Sequence, residues 1–420
     1  MSLTCVASKL LEHIISSSVM SHLEKHNILT DKQHGFRKHR SCESQLIPTV
    51  QNLAKNIDDK SQTDCVLLDF SKAFDKVPFE RLKYKLKWYG INGNIHKWVT
   101  DFLSNRTQRV TVDGASSPTA TVDSGVPQGS VLGPLLFLLY INDLPDYLQH
   151  GSNVNLFADD SILYRTVNSK EDAEKLQNDL HCLEKWENDW MMSFHPSKCQ
   201  TMHITNKRRP LESVYTIHGQ TLEKVDSTKY LGINLHKTLS WKTHVDVISK
   251  RANNMCSFLS RNLHKCSKDT KEAAYRSLVR PLVEYASPVW DPHTKADTDK
   301  LERVQRRAAR FVCGDYKQTN SVSAMINQLG RESLQQRRKQ AKAIVMYRIV
   351  YRLVAIPTVV LIPTMSIRGN LFLVPYARTV TYQKSFFPDT IRIWNALDAN
   401  TKTCTSLDQF KSEVQKTGLP

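Results

Sequence analysis

Two adjacent aspartates, Asp159 and Asp160, lie between two apolar runs in the stretch NVNLFADDSILY, residues 153–164. Apolar and polar residues alternate on either side of the pair, which predicts two strands joined at Asp159-Asp160 in a hairpin. Tight hairpin turns favour Asn-Gly or Asp-Gly, and two carboxylates held side by side repel each other. A bound metal ion would compensate this repulsion, so the sequence predicts a metal site at the turn.

A third carboxylate, that of Asp69, is the best candidate to complete such a site. It lies near the end of DCVLLDF, a short apolar stretch that is typical of a buried strand. Mg²⁺ prefers oxygen ligands and is usually held by one or two carboxylates together with substrate phosphates. Three acids from two strands therefore predict two-metal phosphoryl transfer. Each aspartate alone has the commoner role of a cap or turn residue, and Asp75, just before Val77-Pro78, is predicted to cap a helix.

The chain carries a large excess of positive charge, with 58 Lys and Arg against 41 Asp and Glu, a net charge of +17 and a pI near 9.4. This excess favours polyanionic partners, either nucleic acid or an acidic membrane surface. It is concentrated in residues 241–350, which hold 22 Lys and Arg against 10 Asp and Glu. Four arginines there fall opposite an apolar helix face and are candidates for phosphate contact, with a solvated face as the alternative. They are Arg303, Arg306, Arg307 and Arg310.

Two kinds of pattern divide the chain. Helices and strands alternate irregularly up to about residue 235, which predicts an α+β fold. Beyond Trp241 one amphipathic helix follows another. After Arg352 the sequence becomes Pro-rich and weakly patterned, and it is predicted to form a small appendage.

The cysteines and the apolar runs bear on the compartment. Nine cysteines without CxxC spacing indicate neither a zinc ribbon nor a disulfide framework, and they favour a reduced, intracellular protein. His34, His39 and Cys42 have a ligand-like spacing but lack the fourth ligand of a structural zinc site. The most apolar run, residues 131–141, is too short to span a bilayer, which predicts a soluble protein without a membrane partner.

Three sequence blocks resemble the signature blocks of reverse transcriptases: FADD at 157–160, LDFSKAFDKV at 68–77 and GVPQGSVLGPLLF at 125–137. Their residues are similar to those of the reverse transcriptases of non-LTR retrotransposons of the jockey and chicken-repeat type. Further blocks follow in the order of the family, namely HGFRKHRSCESQL, SFHPSKCQTM and KYLGINL. The resemblance implies an RNA-directed DNA polymerase encoded by a transposable element.

The same resemblance implies a right-hand polymerase fold. Residues 1–240 would form partial fingers and a palm with an antiparallel sheet. Residues 241–350 would form a basic helical thumb, and residues 351–420 a small C-terminal region. The thumb would close on the backbone of an RNA–DNA hybrid through the four arginines named above, because such a hybrid is recognised by shape and charge.

The resemblance also implies the catalytic roles. Asp69 and Asp159 would be the principal ligands of two Mg²⁺ ions, with Asp160 as a supporting acid, and Mn²⁺ could substitute for Mg²⁺. Lys198 would protonate the leaving pyrophosphate or stabilise its charge. Phe74 would lie under the sugar of the incoming nucleotide and exclude a 2′-hydroxyl, whereas without the motif it would be assigned to the core.

Other residues would bind the substrates. The triphosphate would be held by Arg37 and Arg40, whose guanidinium groups suit phosphate. Gln128 and Gly129 would place the templating base and the nucleotide paired with it, and Phe70 is predicted to contact the nucleotide as well. The primer end would be gripped by Tyr230, Leu231 and Gly232.

The predicted partners are an RNA template, a DNA primer and deoxynucleoside triphosphates, and action on chromosomal DNA would place the protein in the nucleus. Several residues depart from the family pattern: His39, Cys42 and His195 stand where Gly, Thr and Asn are usual. The opening SLTCVASKLLE resembles the interior of a family block, which predicts a truncated element without the preceding fingers segment or an endonuclease domain. Two alternatives stay open: an inactive remnant that only binds nucleic acid, and another templated polymerase, such as a telomerase-like enzyme.

Overall fold

The structure is a computed structural model that describes residues 5–364, 371–417 and 419. The helices, in chain order, are α1 (Val6–Lys25), α2 (Cys42–Asp58), α3 (Phe79–Trp88), α4 (Gly93–Leu103), α5 (Leu132–Ile141), α6 (Lys170–Trp190), α7 (Lys242–Asn262), α8 (Lys268–Ala274), α9 (Arg280–Glu284), α10 (Ser287–Trp290), α11 (Lys295–Cys313), α12 (Val322–Gln328), α13 (Leu334–Val350), α14 (Val380–Gln383), α15 (Phe386–Ala396), α16 (Ala399–Lys402) and α17 (Leu407–Thr417). A 3-10 helix spans Leu144–Tyr147, and a π-helical stretch spans Tyr275–Val279.

The strands are short, and most of them pair in hairpins. They are β1 (Gln62–Leu68), β2 (Thr107–Gln108), β3 (Thr111–Val112), β4 (Ala115–Ser116), β5 (Ala120–Thr121), β6 (Asn153–Phe157), β7 (Asp160–Val167), β8 (Gln200–Ile204), β9 (Thr216–Ile217), β10 (Gln220–Thr221), β11 (Glu223–Lys224), β12 (Ser227–Tyr230) and β13 (Ile233–His236).

The chain forms two compact units. The first, called the sheet unit, comprises the described residues up to Ser41 together with Gln62–His203 and Arg208–Val225. The second, called the helical unit, comprises Cys42–Ser61, Ile204–Lys207 and the described residues from Asp226 onward. The predicted division into fingers with palm, thumb and C-terminal region stays a prediction.

A five-stranded sheet with the order β11-β8-β1-β7-β6 organises the sheet unit. β7 is antiparallel to both β1 and β6, whereas β11 is parallel to β8. β1 lies in the middle of this sheet and is almost wholly buried, as its continuous apolar sequence predicts. Mixed helices and strands here, followed by helices after Trp241, confirm the α+β class.

The apolar helix α5 lies in the core of the sheet unit, and its leucines are almost fully buried. The buried carboxylate of Glu12, from α1, accepts hydrogen bonds from the main-chain N–H groups of Val131 and Leu132 at 2.7 and 3.1 Å. These N–H groups have no partner within the helix, so a charged acceptor at this end satisfies them and interacts favourably with the helix dipole.

Helix α11 is the most amphipathic helix of the helical unit. The side chain of Thr294 caps its first turn by accepting from the Asp297 N–H, and it ends at Gly314, whose φ of +66° favours glycine. Its apolar residues Leu301 and Val304 are buried, as predicted. Within the described ranges, the helices all lack the length or the apolar character needed to cross a bilayer.

Candidate active site

The hairpin of β6 and β7 carries the paired aspartates. Phe157 pairs with Asp160, so the two loop residues are Ala158 and Asp159, and Asp160 is the first residue of β7. The prediction of a turn at Asp159-Asp160 is therefore wrong by one residue. The reason is that Ala158, with φ of +52°, takes the left-handed position that a tight turn requires and that Gly usually fills. Asp159 is half-buried, whereas Asp160 is exposed.

A buried glutamine holds this turn in place. The side-chain oxygen Oε1 of Gln33 accepts hydrogen bonds from the N–H groups of Ala158 at 2.8 Å and Gly35 at 2.7 Å. Its Nε2 donates to the Ala158 carbonyl at 3.3 Å. A Cβ on Gly35 would lie 2.4 Å from the Ala158 nitrogen, so only glycine allows the two backbones to approach this closely. The segment around Gln33 also pairs with β6, because the His34 N–H donates to the Leu156 carbonyl at 2.8 Å.

Asp69 follows β1 directly, beside the same turn. Leu68, the last residue of β1, pairs with Ser161, the second residue of β7. The main-chain oxygen of Asp69 accepts from the His195 N–H at 2.8 Å, which ties this residue to the loop that follows α6. The two strand ends therefore bring the Asp69 and Asp159 carboxylates to one edge of the sheet.

The electrostatics of this edge suit a cation. Burial, and then the negative charge of Asp69, raise the pKa of the Asp159 carboxyl. The ammonium of Lys198 lies 3.6 Å from the Asp69 carboxylate, and both side chains are about half exposed, at 58% and 46%. A divalent ion would remove the repulsion between the two acids, and their hard oxygen ligands fit Mg²⁺.

The three predicted acids do not all converge. Among the described residues, the one group of three candidate ligands whose ligand atoms lie within 4.8 Å of one another is His150, Asp179 and Cys182. That group has a structural explanation, because Asp179 accepts hydrogen bonds from the N–H groups of Gln149, His150 and Ser152 at 3.0, 2.9 and 3.1 Å. Successive strand residues point to opposite faces, so an acid that begins a strand need not share the direction of the acid before it.

Two of the recognised sequence blocks meet beside Asp69. The Val126 N–H donates to the Phe74 carbonyl at 2.8 Å, and the amide Nε2 of Gln128 donates to the Asp75 carboxylate at 2.8 Å. The predicted helix cap at Asp75 is therefore wrong: Pro78 occupies the cap position of α3, without a side-chain hydrogen bond. A Cβ on Gly125 would lie 2.7 Å from the Asp75 carbonyl oxygen, so glycine is needed for this contact.

The two phenylalanines predicted to meet the nucleotide differ in exposure. Phe74 is half-buried and stacks on Phe137 with ring centroids 4.3 Å apart, while Phe36 contacts it edge-on at 6.4 Å. Phe70 is only 4% exposed and stacks on Phe194 at 4.4 Å. Phe70 would therefore have to contact a nucleotide through its main chain, whereas Phe74 is partly exposed.

Arg37 and Arg40 lie in the loop that contains Gln33, and both guanidinium groups bind this loop itself. Arg37 donates to the Thr30 carbonyl at 2.6 Å. Arg40 donates at 2.6 Å to both the carbonyl and the carboxylate of Asp31. Binding of a triphosphate would require these groups to exchange partners. Gly129, with φ of +80°, lies on the exposed loop before α5.

The predicted primer grip is the turn between β12 and β13, within the helical unit. Leu231 and Gly232 have φ of +43° and +86°, as a type I′ turn requires. The Tyr285 hydroxyl donates to the Leu231 carbonyl at 3.0 Å, and a Cβ on Gly232 would lie 2.7 Å from the Tyr285 ring. The Tyr230 hydroxyl accepts a hydrogen bond from the buried Nε2 of Gln45. Tyr285 and Gln45 thus support the turn, and its main chain is the part that can contact a ligand.

The four arginines of α11 differ in their exposure and in their hydrogen bonds. Arg303, Arg306 and Arg307 are exposed, and Arg310 is half-buried. Arg307 donates to the Ser257 hydroxyl at 2.8 Å, and Arg310 to the Lys317 carbonyl at 2.9 Å. These contacts leave most of the guanidinium donors on the surface.

Comparisons with known proteins bear on the family to which the chain belongs. Residues 1–235, more than half of the chain, match the reverse transcriptase (RNA-dependent DNA polymerase) family. The chain is 30% identical over 328 residues to the "Probable RNA-directed DNA polymerase from transposon BS" of Drosophila melanogaster, which covers 74% of this chain and 35% of the relative. It is 28% identical over 317 residues to the "RNA-directed DNA polymerase from mobile element jockey" of Drosophila funebris, covering 73% and 34%.

The chain thus spans about a third of the length of these curated relatives. Among solved structures, apo telomerase from Candida tropicalis aligns with a TM-score of 0.45 and 11% identity, covering 82% of this chain and 56% of that chain. The family match covers the blocks that contain Asp69, Gln128 and Asp159. The chain therefore belongs to the reverse transcriptase family.

Proposed function

We propose that this chain is an RNA-directed DNA polymerase of a non-LTR retrotransposon, which extends a primer on an RNA template by two-metal nucleotidyl transfer. The observation that carries the proposal is the meeting of Asp69 and Asp159 at one edge of the sheet, with Lys198 beside Asp69. Family membership supports the reaction and the right-hand arrangement of fingers, palm and thumb.

Asp69 and Asp159 would hold two Mg²⁺ ions, or Mn²⁺ in their place, and Asp160 would support them. When bound, these ions activate the primer 3′-hydroxyl and neutralise charge on the transferred phosphate. Lys198 lies close enough to Asp69 to give a proton to the leaving pyrophosphate or to neutralise its charge.

The substrates are proposed to be an RNA template, a DNA primer and deoxynucleoside triphosphates. Partly exposed Phe74 would exclude a 2′-hydroxyl, and Gln128, held by Asp75, would help to place the paired bases. Arg37 and Arg40 would bind the triphosphate, and Gly129 and the backbone of Phe70 would line the nucleotide site. Priming from chromosomal DNA would take place in the nucleus.

The remaining proposed contacts lie in the helical unit. The turn formed by Tyr230, Leu231 and Gly232 would grip the primer end. The arginines of α11, namely Arg303, Arg306, Arg307 and Arg310, would contact the phosphates of the hybrid, since duplex affinity depends mainly on such contacts.

A second candidate function is that of a remnant that binds nucleic acid without catalysis. The specific observation in its favour is that the ligand atoms of the three acids do not all come within 4.8 Å of one another in the described residues. Both candidates retain the basic helical unit, so binding alone does not distinguish them.

Primer extension distinguishes the two candidates. We expect the purified chain to extend a DNA primer on an RNA template with Mg²⁺ and deoxynucleotides. Asp159→Asn should lower the rate by at least about 100-fold, because even the loss of a residue that hydrogen-bonds a metal ligand costs 10–100-fold. The matched control is Asp101→Asn, at an exposed position of α4. Equal hybrid binding without extension by any of the three proteins would support the remnant instead.

A further inference from the structure

The helical unit contains an open cleft of about 530 Å³ between α11, α13 and α15. Five lysines and arginines and three aspartates line it, and its apolar lining is limited to Pro292 and Ile393. The rim cations Lys295, Lys384 and Arg392 are exposed. The cleft is therefore polar and positively charged, with few surfaces on which a base or an acyl chain could pack.

The acids of the cleft floor are neutralised within the protein. Lys342 is almost fully buried, and its ammonium lies 2.7 Å from the Asp291 carboxylate and 2.8 Å from the Asp389 carboxylate. Buried Arg338 donates through Nε to Asp291 at 2.7 Å, while its Nη1 and Nη2 have no hydrogen-bond acceptor within the described residues. Burial alone would raise the pKa of Asp291, but the charges of Lys342 and Arg338 outweigh it and lower this pKa. The two cations and two acids of the floor cancel, so the net positive charge of the cleft comes from its remaining lysines and arginine.

The cleft continues the arginine face of α11. At 100° per residue, Lys295, Arg303, Arg306 and Arg310 fall within a sector of roughly 80° on this helix. The 19 residues of α11 extend about 28 Å, which is the length of about eight base pairs. The cleft lies at the amino-terminal end of this face. Exposed Asp299 also falls in the sector, but the four cations outnumber it and join the cleft to the residues already proposed to contact phosphates.

We infer that this cleft binds phosphodiester groups of a polynucleotide, so that the C-terminal residues Lys384 and Arg392 extend the nucleic-acid-binding surface of α11. The neutralised floor, the exposed rim cations and the scarcity of apolar lining favour a phosphate backbone. A polynucleotide is favoured over a free nucleotide because the cleft is continuous with the arginine face of α11. The inference rests on the proposed function only for the identity of this polynucleotide.

The inference is tested by the salt dependence of RNA binding, measured by fluorescence anisotropy on a labelled 20-nucleotide RNA without metal ions or nucleotides. The triple variant Lys295→Gln, Lys384→Gln and Arg392→Gln removes three exposed charges. Because each phosphate contact on a single strand contributes about 0.7 to the slope of log K against log salt, the slope should fall by about 2. If both proteins bind RNA equally at 1 M salt, this change in slope corresponds to a roughly 40-fold weaker RNA affinity of the triple variant at 0.15 M.

The matched control removes the same number and kind of charges elsewhere in the helical unit. Arg261→Gln, Lys265→Gln and Lys268→Gln alter exposed residues that do not line the cleft. The control should keep the wild-type slope, and so should the charge-conserving pair Lys295→Arg and Lys384→Arg. The pair Lys295→Gln and Arg392→Gln leaves the Lys384–Asp389 ion pair intact and should lower the slope by more than 1 if the fold is unchanged.

Three outcomes would overturn the inference. The first is an unchanged salt slope for the triple variant, or an equal decrease in slope for the control, which would show that the rim cations are only solvated. The second is binding of millimolar pyrophosphate to the wild type but not to the triple variant, with equal RNA affinity in both proteins, which would indicate a free phosphate ligand. The third is a loss of binding of the triple variant to anionic phosphatidylserine vesicles, with an RNA affinity equal to that of the wild type. The assay contains no catalysis, so an inactive polymerase does not affect its result.

Discussion

Replacement of Gln33 by Met tests whether the clamp on the hairpin turn positions Asp159. Met has a similar length but cannot hydrogen-bond in this way, so the N–H groups of Ala158 and Gly35 would lose their buried acceptor. Each buried unsatisfied group costs about 1–3 kcal/mol, which predicts a loss of roughly 3 kcal/mol in the free energy of unfolding if the turn stays in place. Ala158 already holds an unfavourable positive φ, so we expect the turn to relax instead and to carry Asp159 away.

A displacement of about 1 Å at a catalytic group can cost 10²-fold in rate. We therefore expect Gln33→Met to lower kcat by about 100-fold and to raise the Mg²⁺ concentration for half-maximal extension, with hybrid affinity unchanged. The matched control is Gln62→Met, at the opposite end of β1. Gln62 is also fully buried and makes three hydrogen bonds, of 2.7, 2.9 and 2.8 Å, to Asp64 and to the main chain of Leu211.

Both variants should lose comparable stability in urea unfolding, and only Gln33→Met should change the metal requirement. If the two variants show the same kcat and the same Mg²⁺ dependence relative to their stability, Gln33 serves the fold alone and the positioning argument is wrong.

Three further perturbations follow from the site and its support. Phe74→Ala should raise the ratio of ribonucleotide to deoxynucleotide kcat/KM by at least 10-fold, as the loss of steric exclusion in a pocket typically does; an unchanged ratio would assign this ring to the core. Glu12→Ala should lower the free energy of urea unfolding by about 2 kcal/mol, because the N–H groups of Val131 and Leu132 would be left without an acceptor; a stability equal to the wild type would exclude this capping role. Asp159→Asn should raise the stability of the metal-free protein at pH 7, since a raised folded pKa means that folding disfavours the ionised carboxyl. This gain should shrink as the pH falls through the raised pKa, and its absence in thermal unfolding would contradict the repulsion.

The strongest local patterns predicted the elements that carry the site. The apolar stretch around Leu68 is a central strand, FADD lies on a hairpin, and the arginines of α11 are opposite its apolar face, as expected. The exact loop residues were not predictable, because strand register depends on which residues pair and Ala158 gives no local sign of a positive φ.

The residues that the sequence did not reveal act over long separations. Gln33 directly precedes the recognised HGFRKHRSCESQL block, but its partner Ala158 lies 125 positions away. Glu12 similarly reaches Val131, and Asp75 receives Gln128 instead of capping α3. Such contacts leave no periodic pattern, so only the assembled fold shows them.

The placement of α2 in the helical unit has a consequence for biosynthesis. This helix precedes most of its own unit in the chain: its buried residues, among them Leu46 and Leu53, pack in a unit whose other members are almost all made after residue 225. Its Asp58 carboxylate accepts hydrogen bonds from the N–H groups of Arg378 and Thr379, more than 300 residues later. On the ribosome, α2 therefore keeps an apolar face uncovered until residues more than 300 positions later have been synthesised, which exposes the nascent protein to aggregation and makes chaperone protection valuable.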